Sequence, residues 1–423
     1  MKILWLCNVM LPKVAKSISK ITEVGGGWLT GLSNDLADDK EIELSVAFPL
    51  LKESTMINGK VDNFNYYAFP NDCPKTTVYN PKIEKYLEQI LIEVKPDIIH
   101  IFGTEYPHTL AMINVCDKFD LIDKVIINIQ GLCSVCAVHY LSGVPNNIQK
   151  KYTFRDFVKQ DNLIQQRNKF IKRGQFEIIA LQKARHIIGR TDWDKACTQQ
   201  ISPNAKYHFC NETLRDEFYK HNWDIQTCEK YSIFISQSSY PLKGFHFMLE
   251  AMPEILKNHP DAHIYTTGKN PLKIESVIDK LRMSSYSKYI GQIIKREHLE
   301  DKVTFMGILN EEEMCNAFMK AHVFVSPSSI ENSPNSVGEA MILGVPTITS
   351  DVGGVKNMLT HDVEGLVYQH DAPYMLAHYV CEVFANDSLT LKFSKNARKH
   401  ASIMHNRKTN LETMLGIYKE IIE

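Results

Sequence analysis

Apolar and polar residues alternate along the chain in two periods that together predict an α/β protein. Short, almost continuously apolar runs fit strands buried on both faces, and the segments between them repeat apolar residues at helical spacing. The predicted strands are 2–6, 43–48, 98–102, 124–129, 186–189, 232–236, 263–267, 303–306, 323–326, 347–349 and 365–367. The predicted helices are 28–37, 83–94, 245–258, 311–320, 337–343 and 372–384. Such alternation indicates parallel sheets covered by helices.

The alternation occurs twice, so the sequence predicts two Rossmann-like domains. A chain of 423 residues is also longer than one hydrophobic core usually supports. The domains are set at 1–215 and 216–404, on either side of a charged, non-periodic stretch, with a helix at about 405–423 packing back on the first. Ligands of such sheets bind beyond the carboxyl ends of the strands, so two domains facing each other across a ligand-binding cleft are expected.

Composition excludes several classes of protein. The net charge of −1 gives no overall attraction to nucleic acid, and no nucleic-acid partner is expected. Ten cysteines are scattered along the chain, which is unlike a secreted disulfide scaffold and suits a reducing cytoplasm. The lone pair Cys133 and Cys136 fits buried thiols better than a zinc site. No apolar run approaches the ~20 residues of a membrane span, so a soluble, cytoplasmic protein is expected.

The densest group of candidate functional residues lies in SSIENSPNSVGEAMILGVPTITSDVGGV, residues 328–355. Pro327 stops the preceding strand, which places Glu331 in a loop and Glu339 in the first turn of the next helix. The free backbone amides expected at 336–338 would suit an anion. A structural alternative is a capping box of Ser336 and Glu339, which leaves Glu331 and a later pair of glycines unexplained.

This run resembles the retaining glycosyltransferases of family 4, which have the GT-B fold. The signature is the pair Glu331 and Glu339 separated by seven residues, continuing into Gly344-Val-Pro346 and Asp351-Val-Gly-Gly354. The other matching motifs are Gly25-Gly26-Gly27, Pro96-Asp-Ile-Ile-His100, Leu242-Lys243-Gly244 and Phe305-Met-Gly307. The resemblance covers nearly the whole chain and implies two Rossmann-like domains of the GT-B type.

The resemblance also implies a role for each matching residue. Glu339 would bind the ribose hydroxyls of a nucleotide sugar, and Glu331 would lie near the donor sugar. Lys243 would stabilise the phosphates of the departing nucleotide, which gain negative charge during transfer. The other residues expected to contact the donor are Gly26, Gly27, Gly307, Ser336 and Val337.

Some positions depart from the family pattern. Gln237 stands where relatives commonly have a phosphate-binding arginine. Pro334 replaces a glycine whose amide would point to the sugar, and Ser333 and Asn335 are the candidates to substitute for it.

The first domain offers two further candidate sites. Gln130 takes the place of a histidine that lies beside the reacting carbon in relatives, with His139 as the alternative. The cluster Arg190-Thr-Asp-Trp-Asp194 would bind the acceptor, help to close the domains, or simply cap the following helix.

Residues 150–173 hold eight basic side chains against two acidic ones, with apolar residues between them. This composition suits a basic amphipathic segment on an anionic membrane, and it suits equally a solvated helix packed on its own domain.

The leading hypothesis is a retaining glycosyltransferase that moves a hexosyl unit from a nucleotide-diphosphate sugar to a glycan or lipid-linked acceptor, in cell-surface polysaccharide biosynthesis. The alternatives are a nucleotide-sugar 2-epimerase and a non-catalytic nucleotide-sugar binding protein. No metal or other cofactor is expected, since no Asp-x-Asp follows a predicted strand and no zinc spacing occurs.

Overall fold

The computed structural model describes residues 1–18, 27–51, 53–71 and 76–423, and of Gly27 and Trp28 it describes the backbone alone. The chain divides into two compact units. The first unit comprises Met1–Val135, Lys169–Arg215 and His405–Glu423, and the second comprises Cys136–Asn168 and Asp216–Met404. Each unit is built on one sheet.

The first sheet is parallel except for one hairpin at its edge. Its strands are β1 (Lys2–Leu6), β2 (Glu43–Leu50), β3 (Ile57–Val61), β4 (Phe64–Pro70), β5 (Ile98–Phe102), β6 (Val125–Asn128), β7 (His186–Gly189) and β8 (Lys206–Phe209). They lie in the order β3-β4-β2-β1-β5-β6-β7-β8, with β3 and β4 antiparallel. Every residue of β5 and β6 is buried, because helices cover both faces of the sheet. The strand order reverses between β1 and β5.

The second sheet is entirely parallel. Its strands are β9 (Glu229–Ile235), β10 (His263–Thr266), β11 (Val303–Phe305), β12 (Ala321–Ser326), β13 (Thr347–Ser350) and β14 (Gly365–Tyr368). The order β11-β10-β9-β12-β13-β14 is the Rossmann order. The order reverses between β9 and β12, which is where ligands of such sheets bind.

Seventeen α-helices surround the sheets in the described part of the chain. They are α1 (Pro12–Ser17), α2 (Gly27–Ala37), α3 (Lys82–Val94), α4 (Pro107–Lys118), α5 (Cys133–His139), α6 (Asn146–Gln149), α7 (Phe154–Lys159), α8 (Leu163–Lys183), α9 (Asp192–Ile201), α10 (Phe245–Asn258), α11 (Val277–Arg282), α12 (Ser285–Arg296), α13 (Glu311–Lys320), α14 (Asn335–Leu343), α15 (Pro373–Ala385), α16 (Asp387–Met404) and α17 (Arg407–Ile422). Within these described ranges, no helix has the length and apolar character needed to cross a bilayer.

The C-terminal helix α17 packs on the first sheet. Tyr418 is fully buried, and its hydroxyl lies 2.6 Å from Nδ1 of His100 in β5. The same hydroxyl accepts a hydrogen bond from Nε1 of Trp5 in β1 at 3.3 Å. Asn406 caps the amino end of α17 by accepting from the amide of Thr409. The last helix in the sequence therefore completes the core of the first unit.

Residues 136–168 cluster with the second unit, although the sequence division placed them in the first domain. Val144, Ile148 and Leu163 are buried in the same core as α10 and α12. The carboxylate of Asp156 accepts a hydrogen bond from the amide of Ser285 at 2.9 Å. An apolar face shows that a helix is covered but not which sheet covers it, so the sequence pattern could not make this assignment.

Candidate functional site

Lys243 and Glu331 form an ion pair where the strand order of the second sheet reverses. Lys243 ends the 3₁₀ turn Pro241–Lys243 after β9, and Glu331 lies in the loop after β12. The Nζ of Lys243 lies 2.6 Å from Oε1 of Glu331, and the side chains are 24% and 13% exposed. The hydroxyl of Ser328 donates to the same oxygen at 2.7 Å. Among the described residues, Oε2 of Glu331 has no partner and can accept a further hydrogen bond.

Lys243 is held in its charged form. Burial by itself lowers the pKa of this ammonium, but the Glu331 carboxylate and Tyr240 outweigh burial and raise the pKa of Lys243 above its ordinary value. Burial raises the pKa of the Tyr240 phenol, which is therefore neutral at pH 7. The thiol of Cys136 also lies close enough to interact with Lys243. The site thus holds an ammonium group that stays charged and is paired with the carboxylate of Glu331.

Two glycines in the left-handed conformation bring the loops of the ion pair together. Gly244 has a φ of 66°, and a Cβ at this position would lie 1.7 Å from the carbonyl oxygen of Pro327. Gly353 has a φ of 50°, and its Cβ would lie 1.8 Å from the carbonyl oxygen of Glu331. That carbonyl also accepts from the amide of Gly354 at 3.1 Å. Only glycine allows these close approaches, which explains the Gly353-Gly354 turn.

The amino end of α14 differs from the predicted capping box. The residue at the N-cap position is Pro334, and no side chain caps the helix. Ser336 and Glu339 therefore do not act as the reciprocal caps that the sequence allowed. Glu339 lies in the second turn of α14, and only 5% of it is exposed. Capping does not account for this buried carboxyl group.

The free amides of α14 are also one residue earlier than predicted. The amides of Val337 and Gly338 donate to the carbonyl oxygen of Pro334 at 2.9 and 3.3 Å, so they are not free. The amides of Asn335 and Ser336 have no partner in the part of the chain that the structure describes. These two groups are the donors that the helix can offer to an anion.

The remaining predicted residues of the second unit share the same edge of the sheet. Gln237 follows β9, Gly307 follows β11 and Ser333 lies in the loop after β12. Gly307 has a φ of 78°, and no atom lies within 4 Å of the place a Cβ would take. The structure thus joins Lys243 directly to Glu331, whereas the other three residues line the edge without bonding to that pair.

The predicted glycine loop is not part of the described structure. Gly25 and Gly26 lie outside the described residues. Gly27 is the first residue of α2 and is described by its backbone alone.

Gln130 belongs to a polar cluster of the first unit, at the carboxyl ends of β6 and β7. Its Nε2 donates to Oε1 of Glu212 at 2.6 Å and to Oδ1 of Asn128 at 2.8 Å. Arg190 Nη1 donates to the same Glu212 oxygen at 2.6 Å. The two acceptors fix the side-chain nitrogen of Gln130 on the side of Glu212. The side-chain oxygen of Gln130 accepts one long hydrogen bond, from Nη2 of Arg190 at 3.5 Å. Sequence analysis missed Glu212, which is far from Gln130 in the chain.

The two candidates for the place beside the reacting carbon, Gln130 and His139, lie in different units. His139 belongs to the second unit, where burial and then the nearby His370 lower its pKa. Thr191 and Asp194 form a capping box at the start of α9, which confirms the helix-cap interpretation for that part of the polar cluster.

The first unit also contains a cavity of about 310 Å³ that sequence analysis did not find. It lies beyond the carboxyl ends of β1, β2, β4 and β5, and so includes the point where the strand order reverses. The polar side chains that line it are Asn8, Asn71, Thr76, Asn80, Tyr106 and His108. Burial lowers the pKa of His108 to about 4, so the imidazole is neutral at pH 7. The described lining therefore carries no formal charge.

The cysteines and the potential metal ligands of the described ranges add no further site. Cys133 is buried and Cys136 half-buried, and none of the described cysteines forms a disulfide. In the described ranges, no group of three or more His, Cys, Asp or Glu residues is arranged to hold a metal ion.

Two doubly wound α/β units with a charged site at the switch point of the second define a GT-B architecture, and solved structures agree. The sucrose-phosphate synthase from Thermosynechococcus elongatus aligns over 100% of this chain and 99% of its own, with a TM-score of 0.72 and 16% identity. The Anabaena protein HepE, solved in complex with UDP and glucose, aligns over 99% of this chain and 100% of its own, with a TM-score of 0.67 and 13% identity. The predicted two-domain GT-B fold is confirmed.

Sequence comparison identifies the domain that holds the ion pair. Residues 216–400 match the model of the family "Glycosyl transferases group 1". The putative glycosyltransferase YtcC of Bacillus subtilis is 27% identical over 206 residues, which is 48% of this chain and 48% of that protein. The match thus spans about half the length of this curated relative. The matched residues lie within the second unit and include both members of the ion pair, so this part of the chain is similar to group 1 glycosyltransferases.

Proposed function

We propose that the chain is a retaining glycosyltransferase that moves a hexosyl unit from a nucleotide-diphosphate sugar to a glycan or lipid-linked acceptor, in the cytoplasm and in the synthesis of cell-surface polysaccharide. The observation that carries the proposal is the Lys243–Glu331 pair at the switch point of a group 1 glycosyltransferase domain. A bound UDP and glucose in the HepE structure is consistent with a nucleotide-sugar donor on this fold.

The charges of the site suit the departure of a nucleoside diphosphate. Negative charge grows on the leaving phosphate as the sugar becomes oxocarbenium-like, so donors already fixed in place stabilise the transition state. Lys243 supplies a permanent cation, and the amides of Asn335 and Ser336 supply two neutral donors. We propose that these groups hold the diphosphate without a divalent metal, and activity retained after EDTA treatment would support this.

The two glutamates have different environments and, in the proposal, different tasks. Glu331 accepts from Lys243 and Ser328 on one oxygen, which leaves the other for a hydroxyl of the donor sugar. Glu339 lies on α14 behind the free amides, and a carboxylate there would accept from both ribose hydroxyls. The open space at Gly307 would take the base.

The neutral cavity of the first unit is proposed to hold the acceptor sugar. Its volume of about 310 Å³ is within the range of small-molecule sites. Carboxamides and hydroxyls suit the hydroxyls of an uncharged sugar ring, which need both donors and acceptors. A lipid-linked acceptor would place the protein at the inner face of a membrane, which agrees with one of the two interpretations that the sequence allows for residues 150–173.

Incubation of the purified protein with a panel of nucleotide sugars tests the function. Release of nucleoside diphosphate that increases with an acceptor glycan indicates a transferase, and an α-linked product from an α-linked donor indicates retention. A changed sugar on an intact nucleotide would instead show an epimerase. Tight binding with neither reaction would show a non-catalytic binding protein.

A further inference from the structure

Two neighbouring helices of the second unit expose a concentrated apolar surface. Of the 23 large hydrophobic side chains that are exposed in the described structure, eight lie in residues 152–158 and 274–281. These eight are Tyr152, Phe154, Phe157, Val158, Ile274, Val277, Ile278 and Leu281. We name this group the α7–α11 surface, because α7 contacts α11. Exposed apolar patches of this density usually mark an interaction site.

Polar contacts on the buried face of α7 hold its apolar face toward solvent. Asp156 is fully buried, and its carboxylate accepts from the amide of Ser285 at the start of α12. Arg155 donates to Asp156 at 3.0 Å and to Asp161 at 2.9 Å, which ties both ends of the helix. Phe157 is consequently 74% exposed, and Val277 on α11 is 76% exposed. The buried hydrogen bond of Asp156 therefore keeps the apolar side chains of α7 exposed to solvent.

Unpaired cations surround the apolar side chains. Five basic residues in or just before the two helices are exposed and make no ion pair among the described residues: Lys150, Lys151, Lys159, Lys280 and Arg282. The acidic residues of α11 and its approach are already neutralised, since Asp279 pairs with Lys269 and Glu275 pairs with Lys273. Lys269, Lys273 and Arg282 also line a cavity of about 70 Å³ beside α11. The surface is therefore apolar at its centre and positive at its rim.

We propose that the α7–α11 surface docks on a bilayer rich in anionic phospholipid, with its apolar side chains inserted at the headgroup boundary and its basic rim on the phosphates. An apolar centre with a cationic rim is what an interfacial membrane surface requires. The structure also changes the assignment made from sequence, because Leu163 is buried and Phe170 lies against Arg173 at 4.9 Å. Of the predicted segment 150–173, only the part up to Lys159 belongs to the proposed lipid contact, and α11, which the sequence did not indicate, supplies the rest.

Vesicle flotation of the full chain without any sugar donor tests the proposal independently of the transferase activity. We expect flotation with vesicles of phosphatidylcholine and phosphatidylglycerol, and little flotation with phosphatidylcholine alone. The variant F157S/I278S should lower vesicle affinity at least tenfold. The matched control Y374S/I403S removes two apolar side chains of similar exposure elsewhere in the same unit, and should float like the wild type.

A second pair of variants tests the basic rim. The triple change K150Q/K151Q/K159Q should weaken binding by about 100-fold, since each basic residue near an anionic surface contributes about fivefold. The control K320Q/K395Q/K399Q removes the same charge from exposed lysines outside the surface and should have little effect. Equal flotation on both vesicle types, or wild-type flotation of F157S/I278S, would overturn the proposal. Self-association that F157S/I278S abolishes, in the absence of vesicle binding, would assign the surface to a second copy instead.

Discussion

The Nζ of Lys243 donates to Oε1 of Glu331 at 2.6 Å, although the two residues are 88 positions apart in the sequence. Each charge neutralises the other in a largely buried site. When an anionic diphosphate binds, Lys243 can keep this bond and still offer its other N–H groups to phosphate oxygens, because an ammonium has three donors. The pair therefore keeps the cation oriented before the donor arrives.

Removal of the cation should slow catalysis more than it weakens folding. We expect Lys243→Ala to lower kcat by about 100-fold or more, because a fixed donor to the leaving phosphate is lost. Lys243→Arg should retain part of the activity, since it keeps the charge with a different shape. Steady-state kinetics with the best donor of the panel measures both. Wild-type kcat in Lys243→Ala would remove this residue from the site.

One variant of Glu339 and one of Ser336 test separately whether these residues bind the donor or cap α14. Glu339→Ala should raise the KM for the donor, because the ribose hydroxyls lose a shared acceptor. Ser336→Ala should change the free energy of unfolding by less than about 0.5 kcal/mol, whereas loss of a true N-cap costs about 1 kcal/mol. Denaturant unfolding and donor titration check the two results. A large loss of stability in Ser336→Ala would contradict the observed Pro334 N-cap.

Adding one methyl group at Gly353 should disturb the ion pair from a distance. Gly353→Ala places a Cβ on the carbonyl oxygen of Glu331, so the Glu331 loop must move and transferase activity should fall. Gly416→Ala is the matched control, since no atom lies within 4 Å of its Cβ position and Gly416 lies within α17. That control should stabilise the protein by about 0.5–1 kcal/mol. Equal activity of the two variants would show that the glycine turn does not position Glu331.

The alternating apolar pattern predicted the strands of the second sheet better than those of the first. All six strands of the second sheet occur at the predicted places, because each is a short apolar run between turn residues. The strands β3, β4 and β8 were missed. Strand β3 reads INGKV and is mostly exposed, and β8 reads KYHF, so neither shows a buried apolar run.

The sequence predicted those residues of the candidate site that belong to recognisable motifs, and missed the others. The Glu331, Glu339 and Lys243 positions came from a resemblance, and the Lys243–Glu331 contact follows from parallel strands that bring distant loops to one edge. Glu212 and the neutral cavity have no local signature, because their partners are far apart in the sequence. The capping box failed because the N-cap is Pro334 and not Ser336, so the helix begins two residues too early and Glu339 is its fifth residue instead of its third.

The buried pair Arg190 and Glu212 should be more important for stability than for catalysis. Both side chains are at least nine-tenths buried, so Glu212→Ala leaves an unpaired guanidinium and should destabilise the first unit by about 3–5 kcal/mol. Gln130→Ala should cost much less stability, because the ion pair between Arg190 and Glu212 remains intact. Chemical denaturation compares the two variants. Similar losses in both would mean that Gln130, and not the ion pair, holds the cluster together.

The stability of the first unit should depend on pH through Glu105. Burial, followed by the nearby Glu177 carboxylate, raises the pKa of Glu105 from 4.5 to about 7, although Arg173 and Asn8 oppose the shift. The protonated form therefore favours folding: its contribution is complete below pH 4.5 and is lost as the pH rises through about 7. A shift of this size corresponds to roughly 3 kcal/mol.

Glu105→Gln mimics the protonated carboxyl and removes the titration. The variant should match the wild type in Tm near pH 5 and exceed it at pH 8, because only the wild type must then bury a charge. The variant Glu93→Gln is the control, since Glu93 also accepts a hydrogen bond, from Tyr67 at 3.0 Å, on the same unit. Thermal unfolding of the three proteins across this pH range gives the comparison. A constant difference in Tm between Glu105→Gln and the wild type would show that Glu105 does not titrate between the two pH values.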